Sequence, residues 1–236
     1  MYLAEELTNL SARWKQRDDI GPRAKTMLRL DNDIKSLQHF ANRSYAAEMN
    51  VQKTVLRDLL GGGQSLMQDK TESSIETGTS RVRMMAELWE PILARSVWSQ
   101  AVGSLSDTIA TKLITDVLEM SSIGQDEAYN IATLIAKATE LDDLFLPSKL
   151  AGSTGKAKGA EGSSEVPTTA QYASHWLRLK FLSEVLQSNL NEVKYLWRES
   201  ELSLYFSREE VVDLINASFE DNARTRETIK EVMARR

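Results

Sequence analysis

The residues most open to a chemical reading are Gly152-Ser153-Thr154-Gly155-Lys156, which look like the tail of a phosphate-binding loop. A Walker A loop needs a glycine five positions before its second glycine, a hydroxyl residue after the lysine, and a strand leading in. Here the first position is Leu150, the residue after Lys156 is Ala157, and the preceding segment reads as helix and Pro147. The backbone N–H groups therefore have no reason to form a phosphate cradle. The stretch is expected to be a Gly/Ser-rich linker over 147–167. Nucleotide binding at Lys156 stays as the enzyme-class alternative.

His39 and His175 are the only imidazoles, and the chain has no cysteine. Metal sites usually cluster His, Cys and carboxylates, so two isolated histidines suggest helix-surface or helix-packing roles. The acidic pairs Asp142/Asp143 and Glu209/Glu210 are sequence neighbours. On a helix such neighbours diverge, which favours caps and solvated faces over acid–base work. The serines have no nearby histidine or strained-turn motif to make a nucleophile. No catalytic, cofactor-binding or metal-ligating residue is expected.

The elements that carry these residues read as helices. The 236 residues are 42% hydrophobic and 27% charged, ordinary for a folded protein. A net charge of −5 gives no basic surface for nucleic acid. No apolar run approaches the ~20 residues of a membrane span. The start, MYLAEELTNL, lacks the pattern of a signal peptide. Absent cysteine fits a reducing compartment.

Leu3, Leu7, Leu10 and Trp14 recur at helical spacing. A second pattern runs from Pro22 through Met27, Ile34, Leu37, Ala41, Tyr45, Val55 and Leu59, and Gly61-Gly62-Gly63 should stop it. Gln64 to about Thr79 reads as a polar connection. Met85, Leu88, Trp89 and Ile92 predict a helix kinked near Pro91, and Trp98 to Val117 continues the stripe. Asp126 and Glu127 suit the first turn of the next helix, which runs to Pro147.

Trp176 to Trp197 predicts one long helix. Ser207 and Glu210 form a capping box, with Phe206 and Val211 as a hydrophobic staple, opening a final helix rich in arginine at its end. The whole reads as an all-α, elongated bundle or rod of about seven helices. It divides into a helical domain over 1–146, the linker, and a two-helix segment over 168–236 that packs on the first.

Several stretches resemble the C-terminal region of the zeste-white-ten family, whose fungal relatives include the Dsl tethering subunit. In "FSREEVVDLINASFEDNARTR" the similar positions are Phe206, Ser207, Glu210, Val211, Leu214, Ile215, Ala217, Phe219 and Arg224. "LSEVLQSNLNEVKYLW" (182–197), "LWEPILARSVWSQAVGSLSDTIATKLITDVLEM" (88–120) and "YAAEMNVQKTVLRDLL" (45–60) follow in register.

The resemblance implies the last part of a non-enzymatic tethering subunit of helical-rod type. Such a subunit acts peripherally at the endoplasmic reticulum, on the cytoplasmic side, in Golgi-to-ER retrograde transport. It docks on a large α-solenoid subunit within a SNARE-associated complex. A kinetochore or spindle-checkpoint role is the alternative. The acidic, tryptophan-containing coat-binding segment of the yeast relative has no counterpart here. For partner contact, the resemblance points to the last helix, with Phe219, Arg224 and Arg226 as candidates.

Overall fold

Long stretches without proline, rich in Ala, Leu, Glu and Arg, leave helix as the cheapest way to satisfy the backbone. A computed structural model describes residues 2–17, 31–61, 71–147 and 167–234. Within them lie ten α-helices and no strand, so the fold is all-α. They are α1 (Tyr2–Lys15), α2 (Asp31–Leu59), α3 (Thr71–Trp89), α4 (Arg95–Leu118), α5 (Gln125–Thr139), α6 (Trp176–Gln187), α7 (Leu190–Glu199), α8 (Leu202–Tyr205), α9 (Arg208–Ser218) and α10 (Ala223–Ala234). Short 3-10 turns cover Glu140–Phe145 and Thr169–Gln171.

The axis of the fold is α4. Its buried residues, among them Trp98, Val102, Leu105, Ile109 and Leu113, point in every direction around the helix. A helix apolar all round must be enclosed, and α4 packs against α2, α3, α5, α6 and α9. Residues on both sides of 148–166 join one core: Phe145 lies 6.1 Å from Trp98 and 6.0 Å from Tyr172, centroid to centroid. The residues flanking that segment also meet, since Thr168 donates its N–H to the Phe145 carbonyl at 3.1 Å. Gly103 makes one close approach possible, because a Cβ there would lie 2.3 Å from the Tyr172 Cβ.

Helix α2 spans about 43 Å. Only its C-terminal part, from the half-buried Tyr45 through Met49 and Leu56 with Leu60 just beyond, reaches this core. Before Met49, Ile34 is the buried position, where α1 runs beside α2. Gly61 stops the helix with φ at 89°, a left-handed conformation that favours glycine. Pro22, the Ile20-Gly21 break, Gly62, Gly63 and the GSTGK stretch lie outside the described residues.

Several boundaries differ from the sequence reading. Thr71 to Thr79, expected as a polar connection, is the first half of α3. Ile75, Gly78 and Val82 make its buried face. Gly78 admits the Leu60 side chain, and the Thr77 hydroxyl is satisfied by donating to the Ser73 carbonyl at 2.7 Å. Pro91 does not kink a helix; α3 ends at Trp89 and the chain turns through Pro91 before α4. Leu88 and Ile92 then leave the apolar stripe and stand 55% and 66% exposed.

The two helices expected after 168 are five, which raises the total from about seven to ten. Trp176 to Trp197 is broken at Ser188-Asn189. There the Asn189 side chain accepts the N–H groups of Asn191 and Glu192, and Glu192 returns a carboxylate to the Asn189 N–H at 2.7 Å. The final helix is likewise two, separated at 219–222, where Asn222 accepts the Thr225 N–H at 3.0 Å. The Ser207/Glu210 capping box forms as expected, with Phe206 and Val211 both buried beside it. Asp126 and Glu127 stand in the first turn of α5.

Candidate docking surface

The three residues singled out for partner contact fall on the α9–α10 turn. Phe219 ends α9 in extended conformation and its half-buried ring packs against the core. Arg224 opens α10 and is exposed. Arg226 makes a two-pronged ion pair with Asp221, both contacts at 2.7 Å. The Arg226 hydrogen bond holds the Asp221 carboxyl below its ordinary range. Both side chains are largely exposed, so the pair fixes the local turn more than it stabilises the fold. The turn thus offers one exposed guanidinium without an ion pair among the described residues, one engaged guanidinium, and an aromatic ring committed mainly to the interior.

Helix α10 is anchored from α7. Glu231 pairs with Lys194 at 2.6 Å and with Arg198 at 2.8 Å. The Lys194 hydrogen bond is the main reason the Glu231 carboxyl titrates below its usual value. Arg178 on α6 ties the start of α9 down, with one contact to Glu210 at 2.6 Å and its guanidinium 4.8 Å from the Phe206 ring centre.

Of the other polar residues weighed for chemistry, Asp142, Asp143, Glu210 and His175 serve in clamps and caps, and Glu209 and His39 stand exposed. Asp142 accepts from the Thr169 hydroxyl at 2.5 Å, the Trp176 indole at 2.7 Å and the Lys180 ammonium at 2.5 Å. Its neighbour Asp143 faces elsewhere and takes Arg83 of α3 through both oxygens at 2.8 Å. Glu209 is exposed, whereas Glu210 completes the capping box. His39 is exposed on α2. His175 precedes α6, and its backbone N–H donates to Asp107 at 2.7 Å with Nδ1 near the same carboxylate. Among the described residues, no group of three or more His, Cys, Asp or Glu side chains could hold a metal ion. No described helix is long and apolar enough to cross a membrane.

Two surface features escaped sequence reasoning. Met84, Leu88 and Ile92, four apart, stand exposed on and just beyond α3. The same spacing marks a buried stripe, and nothing in the residue types separates the two. The second is a groove of about 380 Å³ between α2 and α4, whose walls lie fifty or more residues apart in sequence.

An assembly of capped, clamped helices around one enclosed helix defines a helical scaffold domain. Residues 73–232, more than half of the chain, match the family model described as ZW10 C-terminal helical domain. The chain belongs to that family. No curated protein matches it.

Proposed function

We propose that this chain is the C-terminal part of a non-enzymatic vesicle-tethering subunit. It acts in Golgi-to-ER retrograde transport, peripherally at the cytoplasmic face of the endoplasmic reticulum, by docking on the large α-solenoid subunit of a SNARE-associated tether. The observation that carries this reading is membership of the ZW10 C-terminal family over 73–232. The carboxylates and histidines weighed for chemistry are engaged in caps and helix clamps or exposed on helix faces, which fits a scaffold. On this reading the α9–α10 turn, with Phe219, Arg224 and Arg226, contributes to docking.

The test is size-exclusion chromatography of this chain with the solenoid subunit from the same organism. Co-elution near equal stoichiometry, weakened by Arg224→Glu together with Arg226→Glu, supports the reading. Separation at micromolar concentrations defeats docking by this chain. Co-elution with a kinetochore solenoid subunit instead would favour the spindle-checkpoint role. Nucleotide binding abolished by Lys156→Ala would overturn the non-enzymatic assignment.

A further inference from the structure

The groove between α2 and α4 has two unlike walls. On α2, Lys53 and Arg57 are one helical turn apart and both line it. Neither forms an ion pair among the described residues. On α4, Thr111 and Thr115, also one turn apart, present exposed residues along the opposite wall. Three other charges lie in or beside the groove. Lys112 is held by both oxygens of Asp116 at 2.5 Å. Asp107, which also lines the groove, keeps its negative charge but is turned to the start of α6, where it accepts the His175 backbone N–H at 2.7 Å, and the Thr111 hydroxyl lies 3.4 Å from His175 Nδ1.

Two cations without an ion pair among the described residues therefore face the Thr111 and Thr115 hydroxyls across a space of about 380 Å³, and with Asp107 as the one lining carboxylate not paired to a lysine the groove keeps a net positive charge. Cations and hydroxyls together are donors suited to an oxyanion, and hydrogen bonds between charged groups are the stronger kind. The chain as a whole carries a charge of −5. An anionic bilayer attracts a broad basic face, whereas here the two cations stand one turn apart on one wall of a cleft. That favours a ligand narrow enough to place carboxylates between two helices.

We propose that the α2–α4 groove binds an acidic peptide segment of a protein partner, with Lys53 and Arg57 pairing its carboxylates and the Thr111 and Thr115 hydroxyls donating to them. The site lies on different helices from the α9–α10 turn and does not depend on solenoid docking.

The test is fluorescence anisotropy of a labelled polyglutamate peptide titrated with the full 236-residue chain at low salt. Saturable binding is expected, weakened at least about tenfold by Lys53→Glu/Arg57→Glu and unchanged by Arg224→Glu. Thr111→Val/Thr115→Val should weaken it by a smaller factor. Circular dichroism melts confirm folding, and Lys53→Gln/Arg57→Gln replaces the charge-reversal pair if that pair fails to fold. Absence of saturable binding, or binding indifferent to the α2 substitutions, overturns the proposal. Sedimentation with phosphatidylserine vesicles that depends on Lys53 and Arg57, without peptide binding, assigns the groove to a lipid headgroup and also overturns it.

Discussion

Asp142 accepts the indole N–H of Trp176 at 2.7 Å, and this bond joins the turn after α5 to the first residue of α6. The Trp176 ring is itself buried, so its N–H has no alternative partner in water. The same carboxylate gathers Thr169 and Lys180. Asp142→Ala should therefore cost about 2–4 kcal/mol, because it leaves a buried donor and an ammonium without their acceptor. Chemical denaturation reads this directly. A loss below about 0.5 kcal/mol would mean that the clamp forms without stabilising the fold.

Gly103 is the second stringent position. A Cβ there meets the Tyr172 backbone and Cβ, atoms that cannot rotate away. Gly103→Ala should destabilise by roughly 2–3 kcal/mol through overpacking, despite alanine's better helix propensity. A melting temperature equal to that of the parent chain would show that α4 and the Tyr172 turn separate at little cost.

Asn189→Ala removes the acceptor for two N–H groups at the start of α7. The expected loss is about 1 kcal/mol. Asn189→Asp should retain most of the stability, since its carboxylate can accept the same bonds.

Glu231 ties α10 to α7, and Lys194 keeps its carboxyl below the usual value. A depressed folded-state pKa means the contribution is fully present above the unfolded-state carboxylate range. It is lost as pH falls through the folded pKa. Glu231→Gln should lower the melting temperature at pH 7, and the gap to the parent should narrow as the pH drops to about 3. A gap that stays constant or widens on acidification would contradict this account.

Removal of residues 151–165 should leave the fold's stability nearly unchanged. The flanking residues Phe145 and Thr168 are already hydrogen-bonded to each other, so a shorter connection changes closure entropy little. A large drop in melting temperature would give the segment a structural role.

Much of the fold was readable because its signals are local. The Ser207 capping box, the carboxylates opening α5 and the apolar run of α4 depend on residues a few positions apart, and all appear as expected. The Asn189 break was equally local but was masked by a continuous apolar period across it, and the Asn222 break fell inside a stretch read as one helix from its acidic start to its basic end. The first half of α3 was obscured for another reason. Its helix is stabilised by tertiary contact at Ile75, Gly78 and Val82, which overrides the poor propensity of its Ser, Thr and Gly residues. At the candidate surfaces, exposure is a property of the assembled molecule. Met84, Leu88 and Ile92 look like core in sequence, and Lys53 and Thr111 become neighbours only when α2 lies on α4.

Helix α2 enters the core at Tyr45, so its preceding fourteen residues, beginning at Asp31, project about 21 Å from that anchorage, with α1 alongside. This makes the helix a lever with its fulcrum at the α2–α4 contact. A tilt of about 10° at the fulcrum would carry the far end through roughly 4 Å, given the rise of an α-helix. Lys53 and Arg57 sit at the fulcrum itself, where a bound ligand has little leverage of its own but sets the angle of the whole arm.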